Sequence, residues 1–153
     1  MNLIKNGSFE SGQLEPWEAY PAAVTISNNA VLLPLGSHLL QVLDLDAIGD
    51  ATTFTVKVRA RASQEPPAEA LKTKSRFQLS FYYQYGTQFI VHPIEFDASG
   101  GFQNFESSFR ISLPEPLVYA RIKCWVPRNS TPDYDPRDIW FTGFELLPGA
   151  HIP

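Results

Sequence analysis

The chain has 153 residues, 44% of them hydrophobic and 18% charged. This is enough for one packed core and too short for two, so we expect a single domain over residues 1–153. The formal charge of −4 at pH 7 is not offset by any run of Lys or Arg, which argues against nucleic acid as a partner.

The apolar stretches of the chain are short. Even the longest of them, such as 30–35, fall far below the ~20 residues of a membrane-spanning helix, so we expect no membrane span. No apolar segment with a small-residue cleavage site follows Met1. With no secretory signal visible, we expect a protein of the cytoplasm or one exported by a non-classical route.

Several segments alternate between apolar and polar residues with period two, which is typical of strands with one buried face. The clearest are 54–61, 77–85 and 119–126. Further strands are predicted at 23–27, 38–45, 88–96, 104–113 and 138–147, between turn-forming groups. About eight strands without long helices predict an all-β fold, an antiparallel two-sheet β-sandwich or jelly roll. The polar segment 63–75 predicts a long loop.

The polar faces of the alternating strands carry groups that suit a sugar. The residues that we expect opposite the core are Lys57, Arg59, Gln78, Tyr82, Gln84, Arg121, Lys123 and Trp125. Sugars offer C–H patches that stack on aromatic rings, and hydroxyls that need polar partners. We therefore predict Tyr82 and Trp125 as stacking platforms and Gln84, Arg121 and Lys123 as hydrogen-bond donors. If these strands are neighbours, their excess of cations favours an anionic ligand.

The end loops are a second candidate surface. Tyr20, Asp133, Tyr134 and Asp135 can form a shallow pocket there, because loops on a rigid sandwich often carry binding residues. The choice between sheet face and end-loop pocket stays open at this point.

Catalytic and metal motifs are not evident. His38, His92 and His151 are far apart and fit no metal-ligand spacing. The lone Cys124 excludes an intramolecular disulfide and, inside an alternating strand, is predicted to be a core residue. A loop cluster of acids at Asp133, Asp135 and Asp138 is more typical of turn capping than of acid–base chemistry. We therefore expect that the protein is not an enzyme.

The first 17 residues carry a recognisable pattern, N-L-I-K-N-G-S-F-E-S-G, followed by a spacer and Trp17. It resembles the opening of carbohydrate-binding modules of the galactose-binding-like jelly-roll superfamily, whose consensus is close to N-L-[ILV]-x-N-G-x-F-E-x-G. In physical terms, Leu3 and Ile4 predict a first strand and Asn6-Gly7 a turn with positive φ at the glycine. Phe9 and Trp17 supply large apolar groups that can close one end of a sandwich.

The resemblance implies a structural calcium in many members, held by the Glu of this motif and an Asp of the last strand. Glu10 matches that Glu, but the paired acids of the last strand align with Thr142-Gly143. Calcium prefers six to eight oxygens including carboxylates, so this departure weakens the site. We expect no required cofactor, with calcium at Glu10 as the alternative.

Together the residues and the resemblance favour a non-catalytic glycan-binding module or small lectin-like protein, whose partner is a glycan or oligosaccharide. The alternative is a structural or protein-interaction module, such as a subunit of a virion, secreted particle or toxin complex, whose partner is another protein.

Overall fold

The computed structural model describes residues 2–21, 23–63, 74–83, 88–97, 101–111, 117–127 and 138–149, with the backbone alone at 74 and 88–92. In these ranges lie ten strands and one short helix. Their bounds are β1 Glu18–Tyr20, β2 Thr25–Ser27, β3 Ala30–Leu33, β4 His38–Val42, α1 Leu45–Ile48, β5 Thr53–Ala62, β6 Lys74–Tyr83, β7 Gln88–Asp97, β8 Gln103–Arg110, β9 Ala120–Trp125 and β10 Ile139–Pro148. Within the same ranges, no helix has the length and apolar character to cross a membrane.

The strands form two five-stranded antiparallel sheets. The front sheet has the order β1-β4-β9-β6-β7, and the back sheet has the order β2-β3-β10-β5-β8. The two late strands β9 and β10 lie at the centres of the sheets, each between strands from earlier in the chain. This non-local strand order is typical of a jelly roll. The predicted all-β fold, a two-sheet antiparallel β-sandwich, is confirmed.

The predicted elements differ from the observed ones in three places. Strands β1 and β3 were not expected, because three and four residues are too few to show an alternation. Helix α1 cuts short the strand predicted at 38–45, since the Asp44 side chain caps it by accepting from Asp46 N at 2.9 Å. Of the loop predicted at 63–75, residues 64–73 lie outside the described ranges, and β6 begins at Lys74.

The core lies between the sheets and is built from the faces that the alternation predicts. The inward side chains of β5, β6 and β9 are all buried: Phe54, Val56, Val58, Ala60, Phe77, Leu79, Phe81, Ala120, Ile122 and Cys124. Aromatic contacts join the two sheets, with ring centroids 5.3 Å apart for Phe54 and Phe81. Burying each such ring contributes roughly 1.5–3 kcal/mol. The core position predicted for Cys124 is confirmed, and its burial raises the pKa of the thiol.

The N-terminal segment is held against β10. Leu3 N donates to Leu146 O at 2.8 Å, and Phe144 N donates to Gly7 O at 3.0 Å. The ring of Phe144 packs on those of Phe9 and Trp17, with centroids 6.3 and 4.9 Å away. The motif of the first 17 residues therefore anchors the chain to its last strand through backbone bonds and a three-ring cluster.

The backbone of this motif differs from the prediction at two points. Leu3 and Ile4 are buried but lie in an irregular segment rather than in a strand. Positive φ occurs at Asn6 (54°) rather than at Gly7. Gly7 is needed for another reason, because a Cβ at this position would lie 2.1 Å from Phe144 O. The glycine thus permits a close approach of two backbones.

Gln41 ties the same segment to the front sheet. Its side chain is 2% exposed. Lys5 N donates to Gln41 Oε1 at 2.8 Å, and Gln41 Nε2 donates to Lys5 O at 2.9 Å. One amide thus satisfies both backbone groups of Lys5, as a neighbouring strand would.

Candidate functional site

Alternate side chains of the front sheet point away from the core and form a surface that we call the front face. The strand register places them in three rows: Tyr20, His38, Trp125 and Gln78; Glu18, Leu40, Lys123 and Ser80; Val42, Arg121 and Tyr82. Adjacent strands are about 4.8 Å apart. Members of one row are therefore direct neighbours.

Four of the predicted site residues come together on this face. Trp125, Lys123 and Arg121 follow one another along β9, and Tyr82 lies opposite Arg121 on β6. Gln84, the fifth predicted residue, lies outside the described ranges. The shared face of the three β9 residues was predictable because residues two apart on a strand point the same way. The position of Tyr82 beside them depends on the pairing of β6 with β9, which alternation does not reveal.

Lys57 and Arg59 point away from the core as predicted, but they do not belong to the front face. Strand β5 pairs with β8 and β10, so both residues lie on the outside of the back sheet. Alternation predicts which side of its own strand a residue occupies, but it contains no information about which sheet the strand joins.

Arg121 and Lys123 contact the aromatic rings around them. The Arg121 guanidinium carbon lies 4.8 Å from the centroid of the Tyr82 ring and 5.4 Å from that of Tyr119. Lys123 Nζ lies 5.7 Å from the Tyr82 centroid. Such cation–π contacts stabilise a positive charge near the surface. Two like charges are therefore held close together beside an aromatic side chain.

His38 stacks on Trp125, with centroids 5.8 Å apart and the ring planes 10° from parallel. Burial, and then the charge of Lys123, lowers the pKa of His38 below its ordinary value. The imidazole is therefore neutral at neutral pH. Its Nδ1 is buried without a hydrogen-bond partner among the residues that the structure describes.

A cavity of about 390 Å³ opens on the front face, lined by Glu18, Tyr20, His38, Leu40, Arg121 and Lys123. Its volume falls within the range of small-molecule sites. His38 and Leu40 were not predicted as site residues, although both lie in a predicted strand. The sequence showed that the two residues share one side of that strand, but it did not show that β4 pairs with β9.

The end-loop pocket is not supported for the one member that the structure describes. Tyr20 lies on β1, at the edge of the front face, and its side chain is 73% exposed. Asp133, Tyr134 and Asp135 lie outside the described ranges. Asp138 Oδ1 accepts a hydrogen bond from Leu35 N, in the turn after β3, at 2.9 Å, so this one member of the acid cluster caps a turn.

A second cavity, of about 450 Å³, lies between the N-terminal motif and the back sheet, and its lining includes Glu10, Lys57 and Glu106. Lys57 and Glu106 approach to 4.0 Å there. In the described part of the chain, no three His, Cys, Asp or Glu side chains come together as metal ligands. Thr142 Oγ1 donates to Asn29 O at 2.5 Å, and Gly143 adds no side-chain oxygen. Thr142 and Gly143 therefore supply no carboxylate where the resemblance implies one, and calcium at Glu10 stays a prediction.

Solved structures of carbohydrate-binding modules share this fold. A xylan-binding domain of carbohydrate-binding module family 22 aligns over 99% of this chain and 98% of its own, with a TM-score of 0.69 and 13% identity. A tandem of two family 22 modules from Paenibacillus barcinonensis aligns over 97% of this chain, with a TM-score of 0.68 and 12% identity, and this chain spans 50% of the tandem. A family 61 module in complex with β-1,4-galactotriose aligns over 97% and 99%, with a TM-score of 0.58 and 18% identity.

No family model matches the sequence, and no curated protein matches it. The solved structures nevertheless confirm, at the level of the fold, the resemblance noted in the first 17 residues. The chain has the two-sheet jelly-roll fold of carbohydrate-binding modules.

Proposed function

We propose that the chain is a non-catalytic glycan-binding module that holds an oligosaccharide on the front face. The observation that carries the proposal is the cavity on this face, where the exposed ring of Tyr20 and the polar groups of His38, Arg121 and Lys123 meet beside Trp125. An aromatic ring for C–H stacking next to fixed donors is the combination that a sugar requires.

Each residue has a distinct part in this proposal. Trp125 supplies the stacking platform, and Arg121 and Lys123 donate hydrogen bonds to the ligand. Tyr82 adds its own ring and holds the two cations in place through the contacts described above. Gln84 remains a predicted donor.

Two further observations support binding rather than turnover. The solved structures that share the fold include a xylan-binding domain and a complex with galactotriose. The single Cys of the chain, Cys124, is buried and its pKa is raised, so it does not supply a thiolate nucleophile.

The test compares Trp125→Ala with Trp140→Ala on a glycan array, followed by calorimetry on the strongest ligand. Trp140 is a matched control, because it is also half-buried but lies on β10, in the back sheet. We expect Trp125→Ala to weaken binding by about 30-fold or more, the loss of an anchoring aromatic residue, and Trp140→Ala to leave it unchanged. Unaltered affinity in Trp125→Ala would refute the assignment of the site.

A protein-interaction module remains the second candidate, because two of the exposed large hydrophobic residues lie on the same face. Tyr20 is 73% and Val42 62% exposed. Light scattering over a range of concentrations tests this candidate. A sugar-independent oligomer that Val42→Lys dissociates would favour it.

A further inference from the structure

The front face carries an unbalanced pair of positive charges at its centre. Strand β9 is the middle strand of the front sheet, and Arg121 and Lys123 are successive outward residues on it, about 7 Å apart along the strand. Lys57 forms an ion pair with Glu106 on the back sheet. Among the residues that the structure describes, neither Arg121 nor Lys123 has a carboxylate within 4.0 Å.

The acids of the front face lie at its rim. Glu18 lines the same cavity as Arg121 and Lys123, but it is exposed on the edge strand β1, and Leu40 separates it from Lys123 in the same row. Glu95 lies on the opposite edge strand, β7, where it pairs in register with Arg76. The centre of the face is therefore positive and its edges contain the negative groups.

Arg121 and Lys123 are like charges about 7 Å apart and repel each other, and their cation–π contacts with the surrounding rings act against this repulsion. Arg121 is held between Tyr82 and Tyr119, and its Nε is buried without a hydrogen-bond partner in the described part of the chain. A guanidinium fixed in this way loses little freedom when it binds an anion, and its fork matches the geometry of a carboxylate or sulfate.

We infer that the glycan bound on the front face is anionic, with a carboxylate or sulfate group that Arg121 and Lys123 neutralise while a sugar ring stacks on Trp125. This inference rests on the proposed function and names its ligand class. The acidic group lies over β9, away from Glu18, so the sheet also sets the direction of the saccharide.

The test uses ligand pairs that differ only in charge. Calorimetry compares oligogalacturonides with their fully methyl-esterified forms and chondroitin sulfate oligosaccharides with their desulfated, methyl-esterified forms, at about 20 and 300 mM salt. Neutral xylan and galactan oligosaccharides complete the panel. We expect the acidic member of at least one pair to bind ten-fold or more tightly than its neutral partner, with an affinity that falls at high salt. Chondroitin oligosaccharides that are desulfated but keep their carboxylates then distinguish the two groups. Binding that survives desulfation depends on the carboxylate, and binding that is lost depends on the sulfate.

Variants then locate the effect. Arg121→Gln and Lys123→Gln should each remove most of the acid-over-neutral preference, and Arg121→Lys should retain part of it. Arg110→Gln is the matched control, because it removes the same charge from an exposed position on β8 of the back sheet. Circular dichroism and thermal unfolding verify that each variant is folded.

The outcomes separate the two proposals. Equal binding of acidic and neutral members, or a preference that Arg121→Gln and Lys123→Gln leave intact, overturns the anionic ligand while glycan binding stands. A complete lack of binding across the panel and on a broad array overturns the proposed function and the inference together.

Discussion

Replacing Gly7 by alanine tests the central contact of the N-terminal motif. The new Cβ would lie 2.1 Å from Phe144 O, so the two backbones must separate by about 1 Å to reach an ordinary contact. That separation disrupts the bond from Phe144 N to Gly7 O at 3.0 Å and the bond from Asn2 Nδ2 to Phe144 O at 3.2 Å.

The energetic cost follows from these contacts. Two hydrogen bonds contribute about 1 kcal/mol each, and the shift of the three-ring cluster adds about 1 kcal/mol or more of repacking strain. We therefore expect Gly7→Ala to lower the free energy of unfolding by about 3 kcal/mol, which for a chain of this length lowers Tm by about 6–12 °C.

The assay is urea unfolding followed by tryptophan fluorescence, together with calorimetric Tm. Gly101→Ala is the matched control, because its Cβ would meet nothing within 4 Å, and its effect should stay within about 1 kcal/mol. If Gly7→Ala is as stable as Gly101→Ala, then the close approach does not explain the glycine and the reasoning fails.

Three further substitutions test separate contacts by the same unfolding assay. Gln41→Ala leaves both backbone groups of Lys5 without their partner and should cost about 2–3 kcal/mol; a loss below about 0.5 kcal/mol would contradict this. Trp17→Phe removes the bond from Nε1 to Asn6 O at 3.0 Å but keeps a ring, so we expect a loss of about 1 kcal/mol, and no loss would mean that water replaces the bond. Because the pKa of His38 is lowered in the folded state, the unfolded state takes up the proton first, and stability should decrease as pH falls below about 6.5. His38→Gln should reduce that decrease between about pH 7 and pH 5, and an identical pH profile would refute the lowered pKa.

The sequence patterns identified the faces of the strands more reliably than their neighbours. Phe77, Leu79 and Phe81 were predicted to be buried, and Tyr82 and Arg121 to face outward, because period two is a local property of one strand. The pairing of β9 with both β4 and β6 joins segments far apart in the chain, and no local pattern records it. For this reason the sequence did not show that Arg59 lies on the other sheet from Arg121, and His38 was overlooked.

The turn at Asn6-Gly7 shows the same limit of local sequence patterns. Asn6-Gly7 was correctly read as a break in regular structure, and the positive φ was expected at the glycine because glycine tolerates it best. Asn6 adopts it instead, and its Nδ2 donates to Gln13 O and Glu15 O. The reason for Gly7 lies in Phe144, a residue at the other end of the chain, so only the folded structure reveals it.

The alternation of β9 places Cys124 directly behind the front face, between Lys123 and Trp125 but on the opposite side of the strand. Its side chain is 1% exposed and its thiol is protonated at neutral pH, so an alkylating reagent reaches it only when β9 opens. The chain has no other cysteine. The rate of alkylation therefore measures how often the central strand of the front sheet opens, and no cysteine has to be introduced for the experiment. A ligand that binds the closed sheet slows that rate in proportion to its occupancy, which makes the unmodified protein a sensor of its own binding.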